Sequence, residues 1–456
     1  TAARSERLLR IADAYEAQGN KRMAREALQQ ILDHETGVWL EVMGTTELAG
    51  GRIWNRSLAA QRLERLAEAQ GRVPTTRVET AARRRLATAA KQNNLRELAE
   101  IVTSYPVGET HEQAWMTLAA RQFAARTFDE AAETLLWFMR AEPGAARRGD
   151  AALGVTLAGI RSARGGLARH GLALMEALAP NARLAFGGVS GTAAALRQTL
   201  QHEMSPAATM REEGQGNEGN RKAGREIALL PGADDLGGGR LFMEDRRLVR
   251  VGSDGTRVMW SSTEVMEKRV GLDSSPVAAV LLDTVLLFCG GQATALDADT
   301  GKLLWQERGL RLEGLSDASR SEALQRALAL IGASRRSMQS AWRMAFVVGN
   351  QLFRVKTTGE IASLSPRTAK TVWQVQLPEV GGIWAAATMR ESAGYVALAG
   401  GSGGSAAEFR VAVLDVRRGR LLAVWDVPKE RPDFSMTADG RVQLAVSEDP
   451  GSSGRK

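Results

Sequence analysis

Cysteine occurs once, at Cys289, so the chain forms no disulfide within itself. Histidine is nearly as scarce. His34, His111, His170 and His202 are scattered, and no pair has the spacing of metal ligands. Each reads as a surface or packing residue. No stretch approaches the apolar length of a membrane-spanning helix, and no export signal is visible. The chain starts at Thr1 and ends in Gly-Ser-Ser-Gly-Arg-Lys, so it is expected to be a segment of a longer protein, and the missing signal says nothing of compartment. A phosphate-binding loop is excluded, because Gly301-Lys302 is followed by Leu303 and not by Ser or Thr. Aromatic residues are only 5% of the chain, yet ten of them are Trp, so the positions of Trp carry information.

Two sequences that look chemical are explained as turns. Gly400-Gly401-Ser402-Gly403-Gly404 matches a nucleophile elbow in letters, but it joins two expected strands where an elbow needs a strand and then a helix. Asp297-Ala298-Asp299-Thr300-Gly301 starts like a calcium loop and lacks the later glutamate. Cys289 ends the apolar run Leu286-Leu287-Phe288 and reads as a small buried hydrophobe. Phe186-Gly187-Gly188-Val189-Ser190-Gly191 has the composition of a loop. No residue qualifies as catalytic, cofactor-binding or metal-ligating.

The net charge is +8, from 60 basic and 52 acidic residues. The excess is mostly Arg in the first half, densest at Arg83-Arg84-Arg85. Such a run on a helical repeat reads as a solvated face, and no nucleic-acid-binding motif accompanies it.

Composition changes near residue 205. Before it the chain is rich in Ala, Leu, Arg and Glu; after about 225 it is rich in Val, Gly and Asp-Gly turns. Residues 205–224 hold a single large apolar residue, Met210, and read as a flexible linker. The expected domains are therefore 1–204, helical, and 225–456, built of strands.

In the helical part, Leu8, Ile11, Ala12 and Tyr15 lie at helical spacing before a turn at Gly19-Asn20. Ala24, Leu28 and Ile31 follow on a second helix, and Ala12 and Ala24 are small where the two must approach. A second unit carries Trp115, Leu118, Ala131 and Pro143, with Ala119 and Gln122 between. A third has Val155, Ala168, Leu172 and Pro180; Pro106, Pro143 and Pro180 are evenly spaced. These positions resemble the tetratricopeptide repeat, a helical hairpin of about 34 residues, with Ala119 in place of its Gly and Gln122 in place of its Tyr. An ordinary helical hairpin is the alternative. Residues 81–106 read as a degenerate unit, and 37–80 as an irregular insertion followed by a helix at about 56–70.

In the second part the clearest motif is Ala295-Leu296-Asp297-Ala298-Asp299-Thr300-Gly301-Lys302-Leu303-Leu304-Trp305. A strand ends at Asp297, Gly301 supplies a turn conformation other residues resist, and the next strand carries Trp305. This resembles the pyrroloquinoline-quinone (PQQ) propeller repeat, A-x-D-x-x-T-G-x-x-x-W. Eroded copies end at Trp260, Trp373 and Trp425; the last keeps Asp415 and Gly419 but has two extra residues before its Trp. The long step from Trp305 to Trp373 contains residues 316–342, whose apolar residues recur at helical spacing and predict an inserted helix. Hairpin turns are expected at Asp283-Thr284, Gly349-Asn350 and Ala438-Asp439-Gly440.

The expected architecture is thus α then β: a tetratricopeptide-like α-solenoid followed by a partial β-propeller of four to five PQQ-like blades. The resemblance implies Trp260, Trp305, Trp373 and Trp425 as blade-docking residues. It implies a non-catalytic interaction scaffold of the bacterial periplasm or cell envelope, binding proteins or peptides through the solenoid groove and the propeller rim. Open blade edges would also permit self-association. The alternative is a fragment of a quinoprotein oxidoreductase, which would bind PQQ and calcium.

Overall fold

The structure is a computed structural model. It describes residues 2–33, 39–42, 51–68, 76–204, 224–230, 239–255, 257–265, 276–289, 291–312, 343–348, 351–356, 359–377, 385–392, 395–401, 409–427, 432–436 and 442–446. The expected linker (except Gly224), the helical insertion at 316–342, Ser402-Gly403-Gly404, and the turns at Gly349-Asn350 and Ala438-Asp439-Gly440 lie outside these residues. The chain forms two compact units: Thr1–Glu41 with Ile53–Gln215, and Val42–Arg52 with Gly216–Lys456.

The first unit contains ten helices among the described residues: α1 (Ala2–Ala17), α2 (Lys21–Asp33), α3 (Asn55–Glu68), α4 (Thr76–Gln92), α5 (Leu95–Ser104), α6 (Glu109–Ala124), α7 (Phe128–Ala141), α8 (Arg148–Arg161), α9 (Gly165–Leu178) and α10 (Ala193–Met204). Local chemistry sets their ends. Gly19 takes φ +71° between α1 and α2, and the Asn20 side chain accepts the Met23 N–H at 3.2 Å. Asn94 caps α5 by accepting the Glu97 N–H at 3.1 Å. Helices α1 to α3 share one core around Ala12, Ala24, Leu28 and Ile31, with Tyr15 packed on its rim. Helices α4 to α10 share another around Trp115, Leu118, Leu135 and Phe138. Ala131 is fully buried on α7, whereas Pro143, just beyond that helix, is exposed.

Helix α8 is buried at Gly149 and from Ala151 to Gly159. Its backbone meets that of α9 directly: a Cβ on Gly159 would lie 2.6 Å from the Ala168 nitrogen. The end of α8 that carries Gly149 is covered by a two-stranded hairpin, Arg183–Phe186 and Val189–Thr192, whose Leu184 is buried against it. This corrects the loop expected at residues 186–191. Gly187 and Gly188, at φ +58° and +84°, make the two-residue turn whose twist suits paired strands. Within residues 37–80 the helix expected at about 56–70 is α3, whereas the stretch before it, expected to be irregular, holds strands Trp39–Val42 and Gly51–Trp54. The two short strands are rich in Val, Ile and Trp.

The second unit is a series of mostly antiparallel sheets. Sheet I holds Arg225–Glu226, Arg240–Glu244, Arg247–Val251 and Val258–Glu264. Sheet II holds Val277–Leu281, Thr284–Cys289, Gln292–Asp297 and Leu303–Arg308, with Ala228–Leu229 added in parallel. Sheet III holds Arg343–Val348, Gln351–Lys356, Glu360–Leu364 and Thr371–Gln376, with Leu310–Leu312 added in parallel. Sheet IV holds Ala385–Ser392, Tyr395–Gly401, Phe409–Asp415 and Arg420–Val427. A final hairpin pairs Pro432–Met436 with Val442–Val446.

Sheet II is buried on both faces. Val285, Leu287 and Cys289 pack with Leu241, Leu248 and Trp260 of sheet I. Leu286 and Phe288 pack with Ala345, Leu352 and Leu364 of sheet III. That is why residues 284–289 are apolar without alternation.

Candidate functional site

The repeated motif builds one arrangement several times. In sheet II the Asp297 N–H donates to the Lys302 carbonyl at 2.9 Å, and the Gly301 N–H to the Asp297 carbonyl at 2.8 Å. One Asp297 oxygen, Oδ1, accepts from the Asp299 N–H (3.1 Å), the Thr300 N–H (2.9 Å) and the Thr300 hydroxyl (2.8 Å). In sheet III the same two backbone bonds run from Ser365 to Lys370 (2.8 Å) and from Ala369 to Ser365 (2.9 Å), and the Ser365 hydroxyl accepts the Thr368 N–H at 3.2 Å. In sheet IV Asp415 Oδ1 accepts the N–H groups of Arg417 and Arg418 at 3.1 and 3.2 Å. The fifth turn residue is left-handed each time: Gly301 at φ +68°, Ala369 at +55°, Gly419 at +64°.

Each of these turns receives a tryptophan from the preceding sheet. The Trp260 indole N–H donates to the Ala298 carbonyl at 2.8 Å, and the Trp305 indole N–H to the Pro366 carbonyl at 2.8 Å. Both carbonyls belong to the second residue of a turn. The indoles of Trp260 and Trp373 also lie against the fifth residue of their turns. A Cβ on Gly301 would lie 2.5 Å from Cε3 of Trp260, and one on Gly419 would lie 2.6 Å from Cγ of Trp373. Glycine is needed there twice over, for its φ and for the space. Trp260 and Trp373 are buried, at 7% and 8% exposure, whereas Trp305 is half-buried.

Strand register separates Trp425 from the others. Trp305 stands opposite Ala295, and Trp373 opposite Ser363, each next to a bulge before the turn. In sheet IV that place belongs to Ala423, opposite Val413, and Trp425 stands two residues further on, opposite Val411. The two extra residues lengthen the strand beyond the docking position, so Trp425 does not share the geometry of the other three.

Charged side chains clasp the same junctions. Arg250 Nη1 donates to the Ala298 carbonyl at 2.7 Å, beside Trp260. Arg367, third in the sheet III turn, reaches back to Asp297 Oδ2 at 2.8 Å and lies 3.5 Å from Asp283 Oδ2. Burial alone pushes the Asp297 carboxyl up, but hydrogen bonds from Arg367 and Thr300 outweigh it and hold the group below the ordinary carboxylate value. Arg250 and Arg367 are not legible in the sequence, because a repeat motif marks turn and core residues and not the variable side chains between them.

This donor set does not fit calcium. Both oxygens of Asp297 are spent on the turn and on Arg367, whose cation already answers the negative charge of Asp283 and Asp297. Among the described residues no group of three or more His, Cys, Asp or Glu could hold a metal ion. No described helix is long and apolar enough to cross a membrane.

The basic run on α4 is largely answered by acids. Arg83 pairs with Glu79 (3.3 Å) and Glu109 (2.8 Å), and Arg85 with Glu97 and with Glu100 (3.4 Å). Arg84, the third of the run, is exposed and has no acidic partner among the described residues.

Residues 233–335, less than a quarter of the chain, match a family described as outer membrane protein assembly factor BamB. Similar solved structures include BamB from Moraxella catarrhalis, at 16% identity and TM-score 0.27, covering 48% of this chain and 61% of that one. A quinohemoprotein alcohol dehydrogenase from Comamonas testosteroni has 11% identity and TM-score 0.27, covering 48% of this chain and 39% of that one. The Pan2 WD40 domain of Neurospora crassa has 11% identity and TM-score 0.26, covering 47% and 63%. The chain thus spans less than two thirds of the length of each, and likeness at that level carries no function across. No curated protein matches the chain.

Proposed function

We propose that the chain is a non-catalytic protein-interaction scaffold of the bacterial cell envelope, with a role in assembling outer-membrane proteins. The observation that carries this reading is the match of residues 233–335 to an assembly-factor family, over a stretch that holds most of sheets I and II and their Trp260 interlock. In this reading the sheets are blades of a PQQ-type β-propeller, docked through Trp260, Trp305 and Trp373. The helices of the first unit are tetratricopeptide-like hairpins offering a groove to a peptide or a partner helix. The polar groups at the interlocks are occupied in holding sheets together, which suits a rigid platform better than a reaction centre.

Crosslinking of the tagged chain in the cells that make it, followed by mass spectrometry, tests the proposal. The expected products join it to proteins of outer-membrane assembly. Crosslinks confined to cytosolic proteins overturn it. Titration with PQQ and calcium, followed by tryptophan fluorescence and quinone absorbance, separates the oxidoreductase reading: saturable micromolar binding would favour that reading, and no change is expected.

A further inference from the structure

We propose that His111 is a proton-operated switch in the α6–α7 hairpin, exchanging a tryptophan partner for a glutamate. His111 lies in the first turn of α6 and is 5% exposed. Its Nε2 faces two groups of opposite character. The Trp115 indole N–H, one turn along the same helix, donates to it at 3.2 Å. Glu142 Oε1, at the C-terminal end of α7, lies 3.5 Å from it. One nitrogen cannot serve both. Neutral imidazole with a bare Nε2 accepts from Trp115; imidazolium carries a proton there and donates to Glu142.

The other ring nitrogen, Nδ1, is buried with no partner. In the neutral form that accepts from Trp115, Nδ1 carries the proton, and in the imidazolium it carries one too. Its missing partner is therefore common to both states but costs more in the cation, a cost that Glu142 has to offset. The choice rests on the Trp115 hydrogen bond against an ion pair with Glu142, which is itself 5% exposed. Glu142 is the charged group that reaches His111 among the described residues. From α4, Glu79 and Arg83 engage Thr110 and Glu109, the two residues before His111, and not His111 itself. Arg85, also on α4, is held by Glu97 and Glu100 of α5.

Protonation has a mechanical result. It ties the start of α6 to the end of α7 and releases the Trp115 indole. Trp115 is buried and packs edge-on against Trp137, with ring centroids 5.2 Å apart, and against Phe138. An indole N–H without an acceptor in that setting turns towards a new one, and the Trp115–Trp137 contact shifts with it.

The test follows the Trp115 indole N–H signal of the full chain, labelled with 15N-Trp, from pH 8 to pH 5, with W115F identifying the signal. The expected result is a one-proton transition in that signal. In H111Q, where the side chain can still accept from Trp115 but does not titrate, the transition is lost. In E142Q the transition moves to lower pH, because the charge facing His111 Nε2 is gone. A Trp115 signal that stays fixed across the range overturns the proposal, as does an E142Q transition at the wild-type pH. Circular dichroism establishes that each variant is folded, and E142Q keeps the test decisive should H111Q not fold.

Discussion

Trp260 and Trp305 donate to the same kind of acceptor, yet one indole is buried and the other half-exposed. The turns beneath them differ. Trp260 lies over Gly301, whereas the turn that receives Trp305 has Ala369 at the fifth position, with a Cβ and φ +55°. Trp260→Ala is expected to destabilise the second unit by about 3–5 kcal/mol, and Trp305→Ala by about 2 kcal/mol, since it loses roughly half the burial. Calorimetry on the two variants measures both, and equal losses would contradict the burial difference. Ala369→Gly removes left-handed strain and is expected to stabilise by up to about 1 kcal/mol, the strain relief being partly offset by a freer unfolded chain. A fall in melting temperature would show that the Ala369 methyl packs usefully. The sequence made Asp297, Thr300, Gly301 and Trp305 legible because turn chemistry and indoles are tied to residue type. The acceptors were not legible, because Ala298 and Pro366 contribute main-chain carbonyls, which every residue has.

At the scale of elements, the contact between sheets II and III depends on charge as well as shape. Asp297 is held below its ordinary value of 3.8. A carboxyl depressed in the folded state contributes stability that is full above the unfolded value and is lost as pH falls through the folded one. The second unit is therefore expected to lose stability below about pH 4. Arg367→Met should shrink that acid dependence and lower stability at neutral pH, where Asp297 and Asp283 would be left buried without their cation. Chemical denaturation at pH 7 and pH 3.5 compares the two; an unchanged pH profile in the variant would remove the clasp from the account. Element types were readable where one feature dominated, such as the helical spacing of Ala12, Ala24 and Leu28. They are not legible where strands are very short, at residues 39–42 and 51–54 and on either side of Gly187-Gly188. Two-residue turns and four-residue strands leave too few positions for a periodicity to show. Register was beyond the sequence at Trp425, because a strand lengthened by two residues keeps the same face while moving the side chain off its station.

The whole molecule has separate cores in its two units: those around Leu28 and Phe138 belong to the helices, and those around Trp260 and Leu286 to the sheets. Calorimetry of the full chain is expected to resolve two transitions, with Trp260→Ala lowering one and leaving the other in place. A single transition shifted as a whole would show the units to be thermodynamically one body.

The interlocks all point the same way along the chain, and this sets a schedule for synthesis. Trp260 precedes its acceptor Ala298 by 38 residues, and Trp305 precedes Pro366 by 61. At about 5–20 residues per second, the first indole waits about 2–8 seconds for its partner to be made and the second about 3–12 seconds. During those seconds each newly made sheet shows a tryptophan to its surroundings. The interval is longest ahead of sheet III, and a ribosome-associated chaperone would meet the nascent chain most often there.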